Sequence, residues 1–233
     1  MPVKYSGSNS NYLEILQSWT NTSSYTVMCW ARCNVLPGSG AYYGIWRRMG
    51  NQDNAAEFYN NGGNLQVSSW DGTNETYSAN LTVGRWYHLA FVRTSTTLWV
   101  LVLNGVYDNT CGANVASFTS DRVRLGVWDY NVDVAQATFA DFRIWSGRSL
   151  SVEEVRREMY SPAPVIQQGL WAWWPLYNGI PVRPLDYSGN NRTLTLTGSL
   201  LDDTPPPVPL LLASERYWFM PAFDAPAAGG VTG

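Results

Sequence analysis

A chain of 233 residues has the length of one all-β sandwich, a class that runs to about 200–250 residues as a single domain. Charged residues make up 14% and aromatic residues another 14%, with 12 Trp and 14 Tyr, so large flat surfaces must be buried in a core, a ligand groove or a partner. The net charge of −3 excludes the basic footprint of a nucleic-acid binder, and no run approaches the roughly 18 apolar residues of a membrane-spanning helix.

Residues 1–10 carry no apolar run and lead directly into the first strand, so no secretory leader is expected. The sequons at Asn21, Asn74, Asn80 and Asn191 then read as chance in a chain rich in Ser, Thr and Asn. Over 25–33, Tyr25, Val27, Cys29, Ala31 and Cys33 alternate with Thr26, Met28, Trp30 and Arg32, the period of a strand. Cys29 and Cys33 lie four apart in it, roughly 13 Å at 3.3 Å per residue, beyond disulfide reach. With Cys111 they read as small buried apolar side chains of a chain folded in a reducing compartment. Gly62-Gly63 precedes a strand at 65–70, and Asp71-Gly72 turns into a polar strand ending near Ala79. Residues 86–92 and 98–103 are the most apolar strands and are expected at the centre of a sheet. Asn104-Gly105 is a two-residue hairpin dipeptide, because both turn positions need φ > 0. Strands at 123–127 and 137–145 complete the run.

Ser151 and Glu154 form a capping box that opens a helix over 151–160, stopped by Pro162. A late strand segment covers 169–198. Residues 201–233 differ in kind: a Pro-rich spacer, then an apolar arm with Leu210, Leu211, Tyr217, Trp218, Phe219 and Met220, then an Ala/Gly tail. Such an arm cannot stay in water without risk of aggregation, so it is expected to dock on its own domain or on another chain. The expected organisation is a domain over 1–200 and a spacer with arm over 201–233.

Three signals occur in fixed order: Gly84-Arg85-Trp86-Tyr87-His88-Leu89-Ala90, the run from Leu98 to Gly105, and Ala140-Asp141-Phe142-Arg143-Ile144-Trp145 followed by Ser149-Leu150-Ser151. With Tyr12-Leu13-Glu14-Ile15 and the strand at 25–30, they resemble the laminin-G-like branch of the concanavalin A-like jelly rolls. The resemblance implies an all-β sandwich of two antiparallel sheets with one short helix, here with an extended C-terminal arm. Gly169-Leu170-Trp171-Ala172-Trp173-Trp174-Pro175-Leu176, with Asp186-Tyr187-Ser188-Gly189-Asn190 after it, resembles the segment that commonly opens such a domain. Here it comes last, which terminal strands lying side by side would permit. The fold hosts lectins, enzymes, adhesion modules and viral coat parts, so function rests on the site.

Glucanases of this fold carry two carboxylates on one strand about 5–5.5 Å apart. No such spacing occurs here: Glu153-Glu154 lies in the helix, and Glu57, Glu75 and Glu215 stand apart in sequence. The single histidine, His88, lies inside a strand and reads as a structural histidine with its hydrogen bonds satisfied rather than a zinc ligand or a triad base. No catalytic residue is expected. The resemblance also implies Ca²⁺ bound by an Asp three residues before the closing-strand Arg. That position is Ala140, and Asp141, shifted by one, would face the other side of the sheet. Asp129 and Asp133, with Asn131, form an alternative oxygen-rich loop for a hard cation. Sugar binding needs aromatic faces beside amides and carboxylates. Trp70, Asp71 and Asn74, and Trp128, Tyr130 and Asn131, supply both on loops.

Absent catalytic apparatus, reduced cysteines, no export signal and an apolar arm point to a non-enzymatic structural protein, and the arrangement resembles laminin-G-like proteins of phage and prophage origin that end in a similar arm, which implies a place on a virion surface. The expected form is a bacteriophage capsid decoration protein, assembled in the host cytoplasm as a homo-oligomer on a capsid or other virion protein, without nucleic acid or membrane partners and without a required cofactor. The alternative is a carbohydrate-binding lectin module for host or glycan recognition.

Overall fold

The structure, a computed structural model, describes residues 3–5, 11–20, 24–50, 54–70, 75–95, 98–112, 119–127, 135–176, 185–199, 201–202 and 206. In chain order these form β1 (Val3–Lys4), β2 (Tyr12–Ile15), β3 (Trp19–Thr20), β4 (Tyr25–Cys33), β5 (Tyr42–Gly50), β6 (Asn54–Asn61), β7 (Asn64–Trp70) and β8 (Glu75–Tyr77). There follow β9 (Tyr87–Ser95), β10 (Leu98–Leu103), β11 (Val106–Gly112), β12 (Thr119–Leu125), β13 (Ala137–Ser146), helix α1 (Val152–Met159), β14 (Leu170–Trp174), β15 (Thr195–Thr197) and β16 (Leu201–Asp202).

These strands make two sheets, and every described pairing is antiparallel. Sheet A runs β11-β10-β9-β4-β13-β1-β16, with β14 also on β13. Sheet B runs β15-β2-β12-β5-β6-β7-β8, with β3 also on β12. The result is a jelly-roll sandwich. β9 lies in the interior of sheet A as expected, but β10 sits one strand from the edge, and β4 and β13 hold the centre. The Asn104-Gly105 turn adopts φ of 50° and 73°, the left-handed pair a tight hairpin needs.

The late segment explains its own position. β14 pairs with residues 142–145 of β13 and β1 with residues 138–139, so the two lie along the same edge of β13. β15 then pairs with β2 on the other sheet. The Asp186-Tyr187-Ser188-Gly189-Asn190 loop clamps β14 in place. The Asp186 carboxylate accepts from the backbone N–H groups of Trp173 (3.0 Å), Ser188 (2.9 Å) and Arg192 (2.8 Å), and Asn190 Nδ2 donates to the Leu170 carbonyl (3.1 Å).

Between the sheets lies an aromatic core with Trp19, Tyr25, Trp46, Phe91, Trp99, Trp171 and Trp174. Trp46 and Trp99 stack across the two sheets at 6.3 Å and 7°. Arg48 is fully buried beside them, its guanidinium 4.3 Å from the Trp19 ring and donating to the Trp19 carbonyl at 2.7 Å. Burial lowers its pKa to about 10. Cys29 and Cys33 are free and buried, and burial pushes the Cys33 thiol up to about 12. The side chain of Cys111 lies outside the described residues.

Helix α1 covers the outer face of sheet A. Ser151 caps it as expected: its Oγ accepts from Glu154 N–H, and the Glu154 carboxylate accepts from Ser151 N–H. The anchor below is Arg143, fully buried. It pairs with Asp141 at 2.7 Å and with Glu158 of the helix at 2.7 Å, and also donates to the carbonyls of Glu158 (3.0 Å) and Ser161 (2.6 Å). Removing one partner of a buried pair strands the other charges, typically at about 3–5 kcal/mol. Arg143→Met is therefore expected to lose about 3–5 kcal/mol in urea unfolding. Adding Glu158→Gln should return part of that loss, and a cost for Arg143→Met below about 1 kcal/mol would remove the pair from its structural role.

Candidate functional site: the outer face of sheet B

Sheet B keeps its period of two. In β6, Ala56 and Phe58 enter the core, which turns Ala55, Glu57 and Tyr59 outward. In β7, Leu65 and Val67 go inward and Gln66, Ser68 and Trp70 outward. Register then aligns residues far apart in sequence. Arg124 stands opposite both Glu14 and Arg47, Arg47 opposite Ala55, Ala55 opposite Trp70, and Trp70 opposite Glu75. One straight row, Glu14–Arg124–Arg47–Ala55–Trp70–Glu75, thus crosses six strands.

Its neighbours are phenols. Tyr42 stacks on Tyr59 at 4.6 Å and 21°, and Tyr59 meets Tyr77 at 5.2 Å and 33°. Glu75 accepts from Ser68 Oγ at 2.6 Å and from Tyr77 Oη at 2.5 Å. Arg124 Nε meets Glu14 at 2.5 Å, and its guanidinium lies 4.6 Å from the Tyr12 ring centroid. Arg47, Arg124 and Glu57 are buried despite facing outward. Burial, aided by the Glu75 charge, raises the Tyr42 phenol to about 12 and puts that of Tyr77 well above its ordinary value, so both remain neutral hydrogen-bonding hydroxyls. Trp70 and Tyr59 are half-buried. The face therefore combines an indole, a stack of phenol hydroxyls, guanidinium donors and carboxylate acceptors: the groups that a ring carrying many hydroxyls requires.

Of the residues read from the sequence, Trp70 lies in this row. Asp71, Asn74, Trp128, Asp129, Tyr130, Asn131 and Asp133, and the arm residues Leu210, Leu211, Tyr217, Trp218, Phe219 and Met220, lie outside the described residues. Glu57 and Glu75 stand apart in sequence, yet register places them on one face. Sequence reading also missed Tyr42, Tyr59, Tyr77, Arg47 and Arg124. The available signal was the aromatic and charged character of alternate positions in β5 to β8, opposite the apolar set.

Asp141 departs from expectation. A bulge interrupts the pairing of β13 with β4 between Ala140 and Arg143, and Asp141 sits there at φ 54°. Strict alternation fails, and the buried carboxylate turns onto Arg143 and Trp173, accepting from Arg143 Nε (3.0 Å) and Trp173 Nε1 (2.8 Å). With Ala140 at the expected ligand position and Asp141 bound to a guanidinium, the residues present do not fit Ca²⁺ there. His88 is also unlike its reading. It is buried against Trp30, ring centroids 5.2 Å apart, but neither ring nitrogen has a hydrogen-bond partner among the described residues.

Two antiparallel sheets face to face, with a capped helix on one outer face, define a jelly-roll sandwich of lectin type. The chain belongs to the concanavalin A-like lectin/glucanases superfamily, as a laminin G domain, the family model matching residues 6–156. Among solved structures it is similar to a proposed carbohydrate-binding protein from Bacteroides ovatus, with a TM-score of 0.65 and 15% identity over 88% of this chain and 60% of that one. It is also similar to the native heptameric SAP-like pentraxin from Limulus polyphemus, with a TM-score of 0.60 and 15% identity over 86% of this chain and 93% of that one. A comparison with curated proteins finds no match. At these identities the likeness is one of fold.

Burial, then the nearby Arg143 charge, lowers the His88 pKa from 6.5 to about 3. The unfolded chain therefore binds this proton first, so stability is complete above about pH 6.5 and falls as pH drops towards 3. Protonation of this one group is expected to remove on the order of 4 kcal/mol across that window. Unfolding measured from pH 7 to 4 should show the slope, and His88→Leu should flatten it.

Proposed function

We propose that this chain is a non-enzymatic carbohydrate-binding module whose ligand lies across the outer face of sheet B. The carrying observation is the row that sets Trp70 between Ala55 and Glu75, beside the Tyr42–Tyr59–Tyr77 stack. A sugar ring has an apolar face and a hydroxyl edge; the indole suits the first, and the carboxylates and guanidinium groups suit the second. Both oxygens of Glu75 already accept protein hydrogen bonds, which makes it a fixed acceptor rather than a proton shuttle. The fold shared with the Bacteroides ovatus protein supports the same reading.

Glycan-array screening followed by calorimetry tests it. Trp70→Ala and Glu75→Gln should each weaken binding by about tenfold or more, equivalent to roughly 1.4 kcal/mol, with melting little changed and no sugar released. Unaltered affinity in both variants would overturn the assignment of this face. Turnover lost in Glu75→Gln would overturn the non-enzymatic role.

A structural role on a virion surface, as a capsid decoration protein that self-assembles on the shell, is the second reading. Its support is the sequence pattern of spacer and arm over 201–233, whose first two residues pair as β16 with β1 and so tie the chain to sheet A as far as Asp202. Truncation after Asp203 should then leave the melting temperature nearly unchanged while abolishing self-association in light scattering. A large fall in melting temperature with the same oligomeric state would instead assign the arm to the domain's own core.

A further inference from the structure

The outer face of sheet B is not uniform along its row, and if this face binds sugar, as proposed above, its two ends call for different groups on the ligand. At the β2–β12–β5 end the charges are matched. Glu14 pairs with Arg124 at 2.5 Å, and Arg122 lies 3.6 Å from Glu14 and 3.1 Å from Asp121. At the β7–β8 end, Glu75 has no ion pair among the described residues. Its partners are neutral hydroxyls: Ser68 Oγ at 2.6 Å, Tyr77 Oη at 2.5 Å, and the hydroxyl of Tyr42. Arg47, the nearest guanidinium in the row, is three strands away, roughly 14 Å at about 4.8 Å per strand.

The direction of these hydrogen bonds decides what the end can offer. An ionised carboxylate only accepts, so Ser68, Tyr42 and Tyr77 each give their single O–H proton to Glu75. Burial first, and the Glu75 charge after it, hold the phenol protons in place, raising Tyr42 to about 12 and Tyr77 well above its ordinary value. With those protons committed, the two phenol oxygens can only accept from a ligand. Gln66, also outward, spends both amide protons on the Ser78 carbonyl (3.0 Å) and Asn80 Oδ1 (3.2 Å), and is left with acceptor capacity alone. Glu75 has about four lone-pair sites, of which three are filled. Glu75, Tyr42, Tyr77, Gln66 and Trp70 are all half-buried, so each keeps surface that a ligand can touch.

Hydroxyl partners fill the lone pairs of Glu75 but do not cancel its charge. A neutral sugar hydroxyl would add one more bond of the same kind. An ammonium group brings three donors and the missing positive charge, and the Trp70 ring, directly across from Glu75, favours a cation over its face.

We propose that the Trp70–Glu75 end of the sheet B face is a subsite for a protonated amino sugar. The ammonium group sits between the Glu75 carboxylate and the Trp70 ring, donating to the open carboxylate position and to the Tyr42 and Tyr77 oxygens, and the rest of the glycan lies along the row.

The test is calorimetry of the full chain with oligomers of glucosamine, N-acetylglucosamine and glucose, matched in length and linkage, in mildly acidic buffer that keeps the free amines charged. The glucosamine oligomer should bind about fivefold more tightly than the other two, and added salt should shrink that advantage. Glu75→Gln should bring the three affinities together, whereas Glu153→Gln, the same change of charge at an exposed position on helix α1, should leave the preference intact. The salt series on the unaltered chain carries the test should Glu75→Gln not fold. Equal affinities, a preference for the neutral oligomers, or a preference that survives salt or Glu75→Gln would overturn the amine subsite and leave sugar binding on this face in place. Absence of binding by all three, with other glycans still bound in a Trp70-dependent manner, would likewise overturn the amine alone; absence of any glycan ligand would overturn both.

Discussion

The fold turns on Arg143. A guanidinium with no exposed surface must find fixed partners, because desolvation of an unpaired charge costs several kcal/mol even after relaxation. Arg143 reaches them from three parts of the chain: Asp141 on its own strand, Glu158 on the helix, and the backbone of Ser161 beyond it. Glu158 in turn accepts from the N–H groups of Val165 (3.0 Å) and Ile166 (2.7 Å), and Trp173 of β14 donates to Asp141. Burial pushes both carboxyls above their ordinary range and the Arg143 charge opposes it. An ion cluster of this kind adds little over an apolar equivalent of the same shape, but it tolerates few alternative arrangements. It sets where the helix lies, where the chain returns as β14, and which strand must bulge.

The helix so placed makes the two outer faces of the sandwich chemically different. On sheet A, Met28, Ala90, Val92, Val102 and Trp145 pack with Leu150 and Val155 in a second, smaller core. The strands beneath are therefore apolar on both sides, and β4 is buried almost throughout. Sheet B has no helix across it among the described residues, so its outward positions can carry Arg47, Glu57, Tyr59, Trp70 and Glu75. Apolar packing on one face and paired charge on the other follow from a single asymmetry in covering.

Much of this was legible in the sequence, because local rules and tertiary packing agree. The Asn104-Gly105 turn, the Ser151 capping box and the alternation in β4 and β7 are each decided within a few residues. The late strand was recognisable from its Trp-rich run and the Asp186 loop, and its place along the edge of β13 beside β1 accounts for a displaced segment filling an ordinary position. What escaped was non-local. Glu57 and Glu75 are separated by 17 intervening residues (75 − 57 − 1), and only strand register shows that they share a face. Asp141 was misplaced because a bulge adds one residue that alternation cannot count. His88 was read as satisfied because burial and hydrogen bonding usually coincide; here they do not.

The unsatisfied groups are informative in their distribution. On the outer face of sheet A the indole N–H groups of Trp30 and Trp86 and both ring nitrogens of His88 are buried without partners among the described residues; on sheet B the same holds for Arg124 Nη1, while Glu75, Ser68 and Tyr77 complete one another. An unmade hydrogen bond in a buried site costs about 1–3 kcal/mol, and proteins retain such a cost where packing or a ligand offsets it. The aromatic contact of Trp30 with His88 and the burial of Met159 offset part of it. Neutral His88 leaves one donor and one acceptor unmet, so the deficit on the sheet A face is of both signs, and aromatic packing rather than one complementary charge offsets it.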